Sequence, residues 1–185
     1  MTRTQSAIFS EYLVLDAQSG SKEALAQLVE MWTPRLTHRA YRLTGDSDGT
    51  REVLQESWIG IAKGLRSLRD PSHFGGWAFR IVQHKSADWI KQQTKDRSLH
   101  SRLEKTSEQH TPEPADDHAQ EIRIAIGHLD PKLREVVYLF YMDQFTLKQI
   151  AFALRIPLGT AKTRLMMARS QLKPILEHTL ERSTL

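Results

Sequence analysis

The chain contains no cysteine among its 185 residues. That excludes disulfides, thiol nucleophiles and thiolate metal sites, and it permits a reducing compartment. No apolar run approaches the roughly 20 residues that span a bilayer, so membrane insertion is not expected. The opening residues "MTRTQSAIFSEYLVL" lack the apolar stretch and small-residue cleavage site of a secretion signal. A cytoplasmic protein is the expectation. Strand signals are missing too, because no segment alternates apolar and polar residues for long enough. There is no HExxH pair and no phosphate-cradling glycine loop, and the eight histidines show no metal-ligand spacing. Catalytic residues, a metal and a cofactor are therefore not expected.

Charge of one sign is also scarce overall. Lys and Arg total 26 against 22 acidic residues, a net charge of +4. The distribution says more than the sum. Residues 35–102 hold 13 basic and 7 acidic residues, and residues 131–185 hold 9 and 4. The intervening 103–130 hold 2 basic and 7 acidic residues. Two basic blocks around an acidic spacer suit two surfaces that face polyanions, joined by a segment that avoids them.

What is present is helix, and the expected fold class is all-α: two small helical domains joined by a flexible linker. A first helix is predicted over about 6–18, closed by "SGS". Ser21 should cap a second, whose Leu25, Leu28, Val29, Trp32 and Leu36 keep helical spacing. Pro34 falls inside it and predicts a kink, and Gly45 should end it. Asp46 or Asp48 would then cap a third helix with an apolar stripe of Leu54, Trp58, Ile61, Leu65 and Leu68. After "RDPSHFGG" a fourth helix carries Ile81, Val82 and Trp89 and ends near "KQQTKDR".

Periodicity then vanishes. The polar stretch over 97–118, broken by Pro112 and Pro114, reads as linker, which leaves domains at 1–96 and 119–185. The second begins with helices predicted over 119–129 and 131–143, Pro131 fitting the first helical turn. In "TLKQIAFALRIPLGTAKTRL", Thr146 can cap a helix that buries Leu147, Ile150, Ala151 and Leu154. The chain turns at "RIP", and Gly159 and Thr160 open a helix that buries Ala161, Leu165, Ala168 and Leu172. Lys162, Thr163, Arg164, Met166 and Met167 are left to face elsewhere. This is the pattern of a helix-turn-helix whose second helix enters the major groove, or of a plain helical hairpin with a solvated outer face. Arg155 stands where the turn usually has glycine, a left-handed position that costs other residues roughly 1–2 kcal/mol.

The motif does not stand alone. "LDPKLREVVYLFYMDQFTLKQIAFALRIPLGTAKTRLMMARSQLKPIL" resembles domain 4 of the extracytoplasmic-function (ECF) group of sigma-70 family RNA polymerase sigma factors. "LVEMWTPRLTHRAYRLTGDSDGTREVLQESWIGIAKGL" followed by "HFGGWAFRIVQHKSADWIKQQ" is similar to domain 2 of the same group. The two matches occur in the family's order. The resemblance implies a subunit that binds core RNA polymerase and directs initiation at promoter DNA, with an anti-sigma factor as the typical regulator. The polymerase, not this chain, would perform nucleotidyl transfer.

Roles carry over by position. The helix containing "REVLQES" would dock on the polymerase through Glu52, Gln55, Glu56 and the neighbouring Trp58 and Ile59, although the stripe position of Trp58 favours core packing. The −10 strand would meet Phe74, Trp77, Arg80, His84, Lys85 and Lys91, of which Phe74 and Trp77 serve equally well as core residues. The −35 element would meet Thr160, Lys162, Thr163, Met166 and Met167, with Arg164 and Arg169 as phosphate or structural residues. The family often has Asn at His84, a basic residue at Met167, and Ser or Thr at Pro157 or Leu158; Trp89 also departs from its pattern. The departures in domain 4 imply an unusual or relaxed −35 preference, and those at His84 and Trp89 mean that the family's −10 base preference does not carry over. The competing readings are a stand-alone helix-turn-helix regulator and a sigma-like decoy that binds an anti-sigma factor without initiating transcription.

Overall fold

The computed structural model describes the backbone of residues 5–100 and 117–183, and side chains over 5–95 and 120–176. The bulk of the expected linker, 101–116, lies outside the described residues. Among the described residues every regular element is helical and no strand is present. The fold is all-α, and the chain divides into two compact units, Met1–Glu108 and Gln109–Leu185.

The first unit contains α1 (Gln5–Gln18), α2 (Lys22–Thr44), α3 (Ser47–Gly64) and α4 (Phe74–His100). Local chemistry sets the boundaries. The Ser21 hydroxyl accepts from the Ala24 amide at 3.1 Å and starts α2, which runs through Pro34 as one element. Gly45 closes it in the left-handed region at φ 66°, its amide donating to the Tyr41 carbonyl at 2.8 Å. Asp46, not Asp48, caps α3 through the Gly49 amide. Asp48 instead pairs with Arg51 at 3.1 Å on the surface.

Leu13, Leu28, Leu36, Val53, Ile61, Phe74, Phe79 and Val82 are buried at the centre of this bundle. The α1 helix is fastened by polar bonds as well as by Leu13 and Val14. Trp32 Nε1 donates to Ser10 Oγ at 2.9 Å in the interior. Gln18 Nε2 donates to the carbonyls of Leu65 and Leu68, at 2.8 and 2.7 Å, holding the chain reversal after α3. Two short 3₁₀ turns, Leu65–Ser67 and Pro71–His73, carry that reversal, and Asp70 caps the second.

Two sequence expectations are corrected here. The buried line of α3 is Gly49, Thr50, Val53, Ser57 and Ile61, whereas Leu54 and Trp58 are only half-buried. The helix is rotated away from its largest apolar residues because α4 packs closely on its small ones. A Cβ on Gly60 would touch Ile81 at 3.4 Å, and one on Gly64 would stand 3.0 Å from the Trp77 ring. The second correction concerns length. α4 continues to His100, so residues 97–100 of the expected linker are helical. Once nucleated, a helix adds a hydrogen bond for each polar residue it recruits, without needing an apolar stripe.

The second unit contains α5 (Asp117–His128), α6 (Pro131–Val137), α7 (Leu147–Leu154) and α8 (Leu158–Ser183). Ala125, Ile126, Leu129, Leu133, Val137, Ala168 and Leu172 form one buried cluster. The predicted helix over 131–143 is α-helical only to Val137 and then widens into a π-helical turn, Tyr138–Met142. The Asp143 amide reaches the Tyr138 carbonyl at 3.1 Å, five residues back. Such turns break the 3.6-residue register, so a periodic reading overlooks them.

Candidate functional site

In the second unit α7 and α8 form the expected bihelical motif. Thr146 and Gln149 make a reciprocal capping box at the start of α7. Its buried residues are Ile150 and Ala153, with Leu147, Ala151 and Leu154 half-buried, a modest rotation from the predicted face. Arg155 occupies the left-handed region at φ 53° and ψ 44°. The Ile156 amide donates to the Ala151 carbonyl at 3.0 Å and closes the turn. A non-glycine residue thus makes the turn that directs α8 away from α7.

On α8 the sequence pattern translates directly into burial. Ala161, Leu165, Ala168 and Leu172 are all buried. Lys162, Thr163, Met166, Met167 and Arg169 are exposed, and Thr160 and Arg164 are half-buried. Met166 is 62% exposed and Met167 48%, a large apolar area to leave in water on the helix that also carries Lys162. Arg169 is oriented rather than free. Its Nε donates to the Tyr141 hydroxyl at 2.8 Å, and its guanidinium lies 5.2 Å from the Phe140 ring centre. Neither aromatic residue was singled out from the sequence. The signal was present as two consecutive aromatics after α6, but the π-helical turn decides which way they point.

In the first unit Glu52, Gln55, Glu56 and Ile59 lie exposed on α3. Trp58 is half-buried, so it neither joins the deep core nor stands clear of it. Its indole Nε1 is inaccessible to water and has no hydrogen-bond partner. Two of the carboxylates reach across to α4. Lys85 Nζ is 3.1 Å from Glu56 Oε2, and Trp89 Nε1 donates to Glu52 Oε2 at 3.2 Å. The residues pair in antiparallel order, each partner one turn from the next.

The −10 candidates on α4 divide into two groups. Phe74 is 1% exposed and packs edge-on against Trp32, with ring centres 5.4 Å apart. It is a core residue, one of the two roles the sequence left open for it, and taking it out of the core would forfeit the burial of a full aromatic ring. Trp77 is half-buried, set 6.1 Å from Phe74 and against Gly64. Arg80 and Lys85 are half-buried, and His84 and Lys91 are exposed. Trp89 has a structural reason that the sequence did not disclose: its indole lies against Gly49 at the start of α3.

Elsewhere, partial desolvation and, second, the Arg42 guanidinium lower the pKa of His38 below the usual histidine range. Among the described residues no group of three His, Cys, Asp or Glu side chains converges to hold a metal. Among the same residues no helix is long and apolar enough to cross a membrane.

Comparison with known proteins matches these two units separately. Sigma-70 region 2 matches residues 28–96, and Sigma-70, region 4 matches residues 119–172. The ECF RNA polymerase sigma factor SigW of Bacillus subtilis is 25% identical over 173 residues, covering 86% of this chain and 92% of its own. The ECF RNA polymerase sigma factor SigE of Mycolicibacterium smegmatis is 26% identical over 167 residues, covering 84% of this chain and 63% of its own. Among solved structures, CnrH in complex with the cytosolic domain of CnrY aligns with a TM-score of 0.62 at 22% identity, over 92% of this chain and 98% of that one. The sigma factor RpoE of Bartonella quintana, in complex with the anti-sigma factor NepR, gives 0.61 at 20% identity, over 82% and 96%.

A helical unit with an exposed acidic face, followed by a helix-turn-helix unit, is the plan of a two-domain transcription initiation factor. The chain belongs to the ECF group of sigma-70 family RNA polymerase sigma factors. It is an initiation factor that binds core polymerase and directs promoter-specific transcription, and it is not an enzyme. The stand-alone regulator is not favoured, because the first unit matches a sigma region in its own right.

Proposed function

We propose a division of labour between the two units of this sigma factor. Residues 1–96 dock on core polymerase and hold the −10 strand, and residues 119–185 read the −35 element. The observation that carries the second assignment is the row of exposed Lys162, Thr163, Met166 and Met167 opposite the buried Ala161, Leu165, Ala168 and Leu172. Their position at the start of α8, just after the turn, suits base edges in the major groove. Arg164 and the helix N-terminus serve phosphates.

For the first unit, Glu52, Gln55, Glu56 and Ile59 form the polymerase-docking face, with Trp58 beneath it. Arg80, His84, Lys85 and Lys91 supply cations and hydrogen-bond donors to the displaced strand. Trp77 is the aromatic at the edge of the core that remains within reach of a base. The segment between the units must span the distance between the two promoter elements, because two weak contacts reinforce one another only when both can be engaged at once. The protein works where core polymerase is, in the cytoplasm. The solved sigma factor RpoE, bound to the anti-sigma factor NepR, makes an anti-sigma factor the expected regulator here as well.

The test is co-elution of the full chain with bacterial core RNA polymerase in size-exclusion chromatography, followed by run-off transcription from promoters selected by that holoenzyme. Lys162→Ala and Arg80→Ala should weaken promoter binding while core polymerase is still bound. Glu56→Ala should weaken core binding. A chain that binds core but opens no promoter would support the decoy, and one that binds duplex DNA but not core would revive the stand-alone regulator.

A further inference from the structure

Arg169 lies on α8 seven residues after Lys162 and three after Met166, so the three share a helix face. It is held by two neighbouring aromatics of the π-helical turn. The guanidinium carbon is 5.2 Å from the Phe140 ring centre and 5.6 Å from that of Tyr141, and the two rings are themselves 5.0 Å apart at 76°. The Tyr141 hydroxyl accepts from Arg169 Nε at 2.8 Å.

This arrangement uses the Nε–H and sets two aromatic rings beside the guanidinium. The hydrogen bond Arg169 makes among the described residues is at Nε, which leaves the two Nη groups, the fork that matches a phosphate or carboxylate, for a ligand. An exposed arginine ordinarily samples many rotamers and must lose them when it binds. Here the two ring contacts and the Nε bond restrict them before any ligand arrives. Arg169 also sits eleven residues after Leu158, roughly 16 Å along the helix at about 1.5 Å per residue. That places it about one turn beyond Met166 on the same face, past the residues proposed to meet the bases.

We infer that Tyr141 and Phe140 are positioning residues, which hold Arg169 with its Nη fork free for a bidentate contact to a DNA phosphate flanking the −35 bases. The inference rests on the −35 reading of α8 given above. It gives the π-helical turn a function: the widened turn brings two consecutive aromatics to one guanidinium. If the contact served only to pin the turn, removing the Tyr141 hydroxyl would change stability and leave the ionic component of DNA binding untouched.

The experiment uses holoenzyme assembled from core polymerase and the full chain, with a promoter duplex selected from a random-sequence pool by the wild-type holoenzyme. Affinity is measured for wild type, Arg169→Ala, Tyr141→Phe and the double variant, over roughly 50–200 mM salt. Arg169→Ala should weaken binding and make the logarithmic salt slope shallower by about 0.9, the signature of one lost phosphate contact. Tyr141→Phe, which keeps both rings, should weaken binding several-fold in the wild-type background and have no effect in the Arg169→Ala background. Its thermal unfolding midpoint should stay near that of the wild type. An unchanged slope for Arg169→Ala, wild-type affinity for Tyr141→Phe, or an effect that persists without Arg169 overturns the inference. Lys162→Ala separates the two levels: if it weakens promoter binding while the Tyr141 results fail, only this inference falls. If Lys162→Ala has no effect either, the −35 reading falls and this inference with it.

Discussion

Lys85 Nζ and Glu56 Oε2 stand 3.1 Å apart, which joins the proposed strand-binding cation of α4 to the proposed polymerase-facing carboxylate of α3. The two functions assigned to the first unit are therefore not carried by independent side chains. Glu56 is exposed and Lys85 half-buried, and water still reaches both charges, so the pair contributes little to stability, about 0–1 kcal/mol at most. Its consequence is electrostatic: each partner partly neutralises the other until a ligand takes one of them.

Glu56→Gln should accordingly have two effects. Core polymerase affinity should fall, because a carboxylate is lost from the docking face. Lys85, no longer paired, should bind single-stranded DNA slightly more tightly in the assembled holoenzyme. The unfolding free energy should change by less than about 1 kcal/mol. A larger loss of stability, measured by denaturant titration, would mean that Glu56 is structural.

Gly49→Ala should destabilise the first unit. A methyl group there would overlap the Trp89 indole, which is a rigid bicycle and not the tip of a flexible chain. Overpacking of this kind costs about 1–3 kcal/mol. For a unit of this size each kcal/mol lowers the midpoint by roughly 4–8 °C, so thermal denaturation reads it directly. The Gly49→Ala, Trp89→Ala double variant should recover the part of the loss that comes from the clash. Additive losses would refute the account.

Arg155→Gly should stabilise the helix-turn-helix unit. Arg155 holds φ 53°, a conformation that costs a residue with a Cβ roughly 1–2 kcal/mol and costs glycine almost nothing. Greater freedom of glycine in the unfolded chain offsets about 0.5–1 kcal/mol of that. A net gain of up to about 1.5 kcal/mol is expected in the unfolding free energy. A loss would show that the arginine side chain contributes contacts that outweigh the strain.

Met167→Arg should tighten promoter binding. Met167 is 48% exposed on the proposed DNA face, at a position where the family resemblance leads to the expectation of a cation. An arginine there that meets a guanine edge is worth about 1–3 kcal/mol of discrimination, and one that meets a phosphate steepens the salt slope by about 0.9. Filter binding across salt concentrations separates the two. No change in either would place Met167 away from DNA.

How much of this was readable in advance differs between the two halves of the site. On α8 the sequence alone predicted Ala161, Leu165, Ala168 and Leu172 as the buried row, and the structure buries all four. A helix with small and large apolar residues at 3–4 spacing has only one face it can bury, so its pattern decides its orientation. On α3 the same reasoning selected Leu54 and Trp58 along with Ile61, Leu65 and Leu68; the last three are buried, but towards the helix start the deep line proved to be Gly49, Val53 and Ser57. Small residues carry almost no hydrophobic signal, yet they allow α4 the closest approach.

The helical composition, the caps at Ser21 and Thr146, the buried face of α8 and the left-handed strain at Arg155 were all determined by the sequence, because each follows from residues within a few positions of one another. Other features were decided only by the tertiary structure: the rotation of α3, the withdrawal of Phe74 into the core, the Lys85–Glu56 and Trp89–Glu52 pairings, and the aromatic hold on Arg169. Those contacts join residues 28 to 42 positions apart in the sequence. Local propensity has no term for such pairs, and only the packing of whole helices determines which of them meet.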